Sequence, residues 1–323
     1  MEKQTYALKY EIRDGEAVVI GRETPNDTII NVVIPEEYDG CPVTGIDEGT
    51  FYGCQLMTEV TIPNSVKTIG KFAFHMCASL KSVTIPESVT EIGDCIFYEC
   101  LALSEINVDK NNPSYTSIDG VLFNKEVTTL IAYPGSKTGD YVIPNSVKII
   151  AWQAFAHCQK LLKVTIPGSV TEIGKQAFCV CYYLTDVEMG DGITKIGDEA
   201  FCTCYALDSV EIPDSVTEIG DKAFSDCIEL TSVKLPAGIT KIGTETFFRC
   251  AELTDITIPD GVVEIGDGAF GECDELAMAA IPESVEIFGN RVFAKCPQLV
   301  IKGKKGSPAQ KFAKKQKKKF IEI

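Results

Sequence analysis

Leu80-Lys81-Ser82-Val83-Thr84-Ile85-Pro86-Glu87-Ser88-Val89-Thr90-Glu91-Ile92-Gly93-Asp94-Cys95-Ile96-Phe97-Tyr98-Glu99-Cys100 is one period of this chain, and the next begins at Leu103. Its closing Phe-x-x-Cys occurs ten times. The Phe column reads Phe51, Phe74, Phe97, Phe155, Phe178, Phe201, Phe224, Phe247, Phe270 and Phe293, and eight of its nine intervals are 23 residues. The Cys column follows as Cys54, Cys77, Cys100, Cys158, Cys181, Cys204, Cys227, Cys250, Cys273 and Cys296. A fixed period in this range, with alternating apolar positions, predicts a solenoid whose repeats bury their faces only against their neighbours. Such an architecture argues against an enclosed active site.

Within the period, Leu80 to Ile85 ends in apolar/polar alternation and predicts a short strand with Val83 and Ile85 facing inward. Pro86 has no N–H for a ladder, so it ends the strand. Val89 and Ile92 return to the core, and Gly93 is expected to supply backbone freedom at a corner. Asp94 to Cys100 is expected to form a single helical turn with Ile96, Phe97 and Cys100 on one side.

This pattern resembles the leucine-rich repeat, whose L-x-x-L-x-L core is seen in Leu253-x-x-Ile256-x-Ile258. The form IP-x-SVT-x-IG-x-x-AF-x-x-C-x-x-L is more closely similar to the BspA-like subfamily of bacterial and protist surface proteins. Two stretches outside the repeat match that subfamily too. One is the insert Asn112-Pro113-Ser114-Tyr115, Ser117 to Phe123 and Thr128 to Pro134; the other is the lead-in from Tyr10 through Val33-Ile34-Pro35 to Pro42-Val43-Thr44. The resemblance implies a curved leucine-rich-repeat solenoid of short parallel β-strands, capped at both ends. It also implies a role in surface adhesion or binding, with ligands that vary between members.

The 323 residues fit one elongated domain, because a solenoid has no single core that must keep growing. Stacking at about 4.8 Å predicts a body on the order of 60 Å long. Residues 1–34 are expected to form an N-terminal cap hairpin and lead-in, starting with Tyr6, Leu8, Tyr10 and Ile12 in alternation and turning at Asp14-Gly15. Coils fill 35–108 and 142–301. Phe97 to Phe155 spans 58 residues, two periods plus 12, so 109–141 is read as an irregular coil with a β-hairpin from Val121 to Ile131. Residues 302–323 are expected to form a basic capping helix and strand, with Ser307 as N-cap, Pro308 at the first helical position, and Ala309, Phe312, Ala313, Gln316 and Phe320 on one face.

The net charge is −16 and uneven. From Lys302 onward there are nine Lys and one Glu, which leaves 21 basic and 45 acidic side chains in residues 1–301. The lysines read as the solvated face of the cap or as a basic patch for an anionic polymer or membrane surface. Such acidity elsewhere excludes nucleic acid as a ligand of the body. The column cysteines read as small buried hydrophobes with free thiols. Cys41, Cys95, Cys179 and Cys202 lie off the column. Cys179-Val180-Cys181 and Cys202-Thr203-Cys204 are one coil apart, which leaves open a Cys₄ zinc site or a disulfide.

Met1 to Ile12 has neither the basic start nor the apolar run of a signal peptide, and the sequence holds no 18-residue apolar run. Family resemblance points to a secreted or cell-surface protein, while a cytoplasmic location stays open. The two histidines, His75 and His157, fall at different repeat offsets, and no nucleophile-elbow, zinc-protease, P-loop or dinucleotide motif is present. An enzyme is therefore not expected, nor a cofactor or metal. The candidate surface is the outward strip of the strands (Glu59, Thr61, Lys163, Thr165, Asp186, Glu188, Glu211, Lys234 and Asp255) with a rim of Tyr182, Tyr183 and Tyr205 beyond the turns. The expected function is a monomeric, non-enzymatic protein- or glycan-binding module at the cell surface. The alternative is an intracellular protein-interaction scaffold.

Overall fold

The computed structural model describes residues 8–23 and 30–323, so Tyr6 lies outside the described residues. The chain divides into two compact units, Met1–Lys137 with Ala151–Gln159, and Thr138–Ile150 with Lys160–Ile323. Each is built as the repeat dictates, from short parallel strands joined by turns: the expected leucine-rich-repeat solenoid.

In the first unit, Leu8–Arg13 and Glu16–Arg22 form an antiparallel hairpin through Asp14-Gly15, both left-handed at φ 52° and 80°. Parallel coils then stack on it, Ala17 on Val43, Gly45 on Thr68, and Thr68 on Glu91. A second ladder pairs Asn31–Val33 with Glu59–Thr61, and Ser82–Ile85 with Glu105–Val108. The insert is a three-stranded antiparallel meander of Tyr115–Ile118, Val121–Asn124 and Thr129–Ala132. Asn112 anchors it. Fully buried, its amide donates to Pro86 O and Val89 O (2.7 and 2.9 Å) and its carbonyl accepts from the Ser114 and Tyr115 amides (2.9 and 2.8 Å). Every polar atom of that side chain is thus used, which is the condition for burying an amide without penalty.

In the second unit one ladder runs through Gly139–Val142, Leu161–Ile166 and Asp186–Met189. Farther along, Asp255–Thr257, Met278–Ala280 and Val300–Gly303 pair in the same sense. The other ladder stacks Ile149–Ile150, Glu172–Ile173, Lys195–Ile196 and Glu218–Ile219. Helix Pro308–Lys315 begins at the Ser307 N-cap, whose hydroxyl accepts from the Gln310 amide, and buries Ala309, Phe312 and Ala313. The helical face is shorter than expected. Phe320 lies instead on strand Lys319–Glu322, paired with Ile301.

The apolar columns become stacks. Phe51, Phe74 and Phe97 lie ring on ring at 5.4 and 5.8 Å in the first unit, and Phe178, Phe201 and Phe224 at 5.0 and 5.2 Å in the second. The column thiols are not mere space-fillers. Cys77 donates to Phe51 O at 3.2 Å, Cys100 to Phe74 O at 3.1 Å, and Cys204 to Phe178 O at 3.1 Å. Each of these carbonyls also accepts an amide of its own coil, from Cys54, Cys77 and Cys181 in turn, so the thiol adds a second donor from the neighbouring coil.

Two local expectations are corrected. Gly93 is needed for close approach, not for backbone freedom: a Cβ there would meet Lys71 N of the preceding coil at 2.4 Å. The segment before each column Cys is also not a helical turn. Phe72 and Met76 have φ 57° and 59°, and Gln176 and Val180 53° and 63°, values no right-handed helix contains. These residues form a third ladder between coils. Gln176, Phe178 and Val180 donate to Asp198, Ala200 and Cys202 carbonyls at 2.7–2.9 Å, while Ala177, Cys179 and Cys181 donate three residues back within their own coil. A helix would spend all of these amides internally and leave the next coil without partners.

The left-handed turn makes a test that a helical turn would reverse. Arg291 is exposed at φ 56°. Arg291→Gly should raise stability by about 1 kcal/mol, and Arg291→Val should lower it, because a Cβ costs roughly 1–2 kcal/mol in that conformation. Urea denaturation should therefore rank Gly above Arg above Val; Gly lowest would restore the helix.

Candidate functional site

The sheet strip of the second unit is built by strand alternation, which turns every second side chain outward. Lys163 reaches across to the next strand and pairs with Asp186 (2.8 Å) and Glu188 (2.5 Å), and the Thr165 hydroxyl donates to Glu188 (2.9 Å). Hydrogen bonds from Lys163 and then Thr165 hold the Glu188 carboxyl below its usual range. One pair farther on, Lys234 bridges to Glu211 at 2.8 Å. Asp186, Glu188, Glu211 and Lys234 line an open cleft of about 720 Å³ that also takes in Asp191 and Asp214, and Lys163 and Thr165 lie outside it. Asp255 is exposed on strand Asp255–Thr257 and lines a neighbouring cleft of about 390 Å³ with Lys234. Glu59 and Thr61 are exposed on their strand in the first unit and belong to neither cleft.

The tyrosine rim is separate. Tyr182 and Tyr205 stack at 4.9 Å with rings 7° from parallel, Tyr183 is 60% exposed, and none of the three lines the cleft. Strip and rim are thus two surfaces, not one.

The first unit carries a stronger aromatic surface than the sequence reading singled out. The position after the column Phe is Tyr52, His75 and Tyr98 in three successive coils, and the structure stacks them at 4.9 and 4.6 Å. Phe72 meets His75 edge-on at 5.5 Å and Trp152 at 6.3 Å. Tyr52 is 47% exposed and Trp152 36%. His157, two residues after its column Phe, joins the ledge from another coil, with Nε2 2.8 Å from the Tyr98 hydroxyl and 3.2 Å from Glu99. The two histidines, at unequal repeat offsets, are thus parts of one ledge. Reading the Phe+1 column downward is the signal that finds it. A cavity beside it, lined by Phe97, Tyr133 and His157 among others, measures about 20 Å³. That is room for about one water molecule and for no substrate.

The four cysteines Cys179, Cys181, Cys202 and Cys204 do not converge on one point, although Cys179 and Cys202 lie next to each other. Cys181 and Cys204 are fully buried in the column, whereas Cys179 and Cys202 sit in the Phe+1 position, Cys202 partly exposed. Among the described residues no cluster of three or more Cys, His, Asp or Glu side chains is placed to hold a metal ion. All 14 cysteines are free thiols.

The model of the BspA-type leucine-rich repeat region matches this chain in six copies, over residues 44–134, 131–232 and 172–300, and the chain belongs to that family. Solved structures agree in fold. The pneumococcal vaccine antigen PcpA is 21% identical, with 91% of this chain and 68% of that one covered at a TM-score of 0.66. A leucine-rich repeat protein from Eubacterium ventriosum is 22% identical, with 90% and 94% covered at 0.58. No curated protein sequence matches the chain. No helix among the described residues is long and apolar enough to cross a membrane.

The ledge has a pH signature. Burial, with His75 as a smaller cause, pushes the His157 imidazole from 6.5 down to about 4. The unfolded chain takes up this proton near the higher value and the folded chain only near the lower. His157 therefore withdraws stability as pH falls from about 6.5 to about 4. Glu99, raised by its own burial, acts in the opposite sense. His157→Gln should flatten the fall of denaturation midpoint across that window; an unchanged slope would mean that the imidazole titrates as it does in water.

Proposed function

We propose that this chain is a non-enzymatic protein-binding module displayed at the cell surface, and that the ledge of Tyr52, Phe72, His75, Tyr98 and Trp152 is its contact face. The observation that carries this reading is the ledge itself: five rings in mutual contact, two of them more than a third exposed, beside a cavity too small for a substrate. Rigid aromatic groups fixed by a stacked backbone lose little entropy on binding and are favoured as interface anchors. Membership of a repeat family supports the binding role, and likeness to a structure of a vaccine antigen supports surface display.

The strip of Lys163, Thr165, Asp186, Glu188, Glu211, Lys234 and Asp255, with its tyrosine rim, is proposed as a second contact face. The open cleft favours it, since five carboxylates line that cleft against the single lysine Lys234. It suits a basic protein surface, and its internal ion pairs are exposed enough to exchange for a partner's at small cost.

The test is binding of the purified chain to a panel of extracellular matrix proteins, with a glycan array and a cytosolic lysate as comparison arms. The proposal expects a matrix protein partner. Tyr52→Ala with Trp152→Ala should weaken that partner about 30-fold, the size of a two-anchor loss, without changing the circular dichroism spectrum. Binding to glycans alone or to cytosolic proteins alone would overturn it. A partner lost to charge reversal at Asp186, Glu188 and Glu211 but indifferent to the aromatic pair would move the contact face to the strip.

A further inference from the structure

The Phe+1 column that makes the aromatic ledge reads Cys179 and Cys202 in two successive coils of the second unit, and Ser225, Phe248, Gly271 and Ala294 in the four that follow. Cysteine therefore occupies this outer position on two neighbouring coils and at no other place in the column. The coils are in register there. Phe178 and Phe201, the preceding residues, stack at 5.0 Å with rings 2° from parallel, and the following residue, Val180, donates its amide to Cys202 O at 2.9 Å. Equivalent positions so held lie about 4.8 Å apart, inside the roughly 4.4–6.8 Å between Cα atoms that a disulfide spans. The two thiols also lie close enough to move each other's titration, Cys202 downward and Cys179 upward.

We propose that Cys179 and Cys202 form a dithiol, open to solvent at Cys202, that exchanges with low-molecular-weight disulfides and closes into a disulfide between coils. Position assigns the roles. Cys202 is partly exposed and its Sγ lies 3.3 Å from the Thr203 hydroxyl, whereas Cys179 is 7% exposed behind it. Hydrogen bonds from Cys179 and then Thr203 hold the Cys202 thiol below its ordinary value, against burial and the nearby Asp226 and Glu199 carboxylates. Cys179, donating to Cys202 and buried, is held above it. The Cys202 thiolate attacks one sulfur of the small disulfide; its S–S bond breaks and one thiolate leaves. Cys179 sulfur then attacks Cys202 sulfur in the mixed disulfide, and its proton goes to the second departing thiolate. Two protein thiols are oxidised, one small disulfide is reduced to two thiols, and no other reactant is needed.

The column thiols are excluded from this exchange. Cys181 and Cys204 have no exposed surface, and Cys204 is committed to Phe178 O at 3.1 Å. Burial pushes Cys204 and Cys227 up, which removes the thiolate that exchange requires.

The experiment uses the full chain, reduced and then incubated with oxidised glutathione, followed by intact mass and fragmentation mapping. The expected product has lost two hydrogen atoms and carries one Cys179–Cys202 link. Cys179→Ala should stop at a stable glutathione adduct on Cys202, and Cys202→Ala should give no link at the site. The linked protein should also melt higher than the reduced one, because the cross-link restricts the unfolded chain. A wild-type chain that stops at the adduct, reacts at neither cysteine, or links Cys202 to Cys204 overturns the proposal. If either variant fails to fold, Thr203→Ala provides the second route: it removes the 3.3 Å hydroxyl contact and should slow adduct formation several-fold, whereas an unchanged rate contradicts the role given to Cys202.

Discussion

Everything in both units depends on one constraint: successive coils approach until backbone touches backbone, and they do so in register. The glycine after the second inward Ile marks where that approach is tightest. A Cβ on Gly220 would meet Asp198 N at 2.4 Å, as one on Gly93 would meet Lys71 N. At such a distance three ladders of amide–carbonyl bonds run between coils, two through the short strands and one through the turn before the column Cys. Equal coil length follows from this, since one residue more or less would shift every pair and turn inward side chains outward.

Register also converts sequence columns into surfaces. The Phe column becomes a stack of rings at the core, and the Cys column becomes a row of thiols, most of them, such as Cys227 and Cys250, donating to a carbonyl of the preceding coil. The Phe+1 column is the next position of the same turn, open to solvent at Tyr52, His75, Tyr98, Cys202 and Phe248 and buried at Cys179 and Ser225. It carries aromatic rings in the first unit and a pair of thiols in the second, so its chemistry is set one residue at a time while the backbone beneath stays fixed. Such a division between invariant frame and variable face is what suits a repeat protein to recognition. A ligand laid on it meets neighbouring side chains from different coils at spacings that the sequence sets directly.

Much of this was legible from the sequence. The 23-residue period and its apolar columns gave the solenoid, the inward Val83 and Ile85, the Asp14-Gly15 hairpin and the Ser307 cap, because each rests on a local rule with few competitors. The turn before the column Cys reads as helical from its residues and is not helical in the structure. Its residue types suit a helix, and only the neighbouring coil's demand for hydrogen-bond partners drives Phe72 and Met76 into left-handed backbone. Gly93 was assigned the wrong reason on the same ground, since close approach is a property of two coils and not of one. Of the candidate surface, the strip was visible by alternation. The ledge was not, because His75 and His157 differ in offset and meet only through Tyr98 across coils.

Close approach at the glycine column is most directly tested by comparing two alanine substitutions in the second unit. Gly220 faces the Asp198 backbone at 2.4 Å, whereas a Cβ on Gly238 would meet Thr217 Cγ2 at 3.4 Å, an ordinary contact. Urea denaturation of the two variants should show Gly220→Ala losing several kcal/mol, as forced overpacking does at about 1–3 kcal/mol or more. Gly238→Ala should remain within about 1 kcal/mol of the parent chain. Equal midpoints for the two variants would mean that the coils are not held in backbone contact, and the account built on that contact would be wrong.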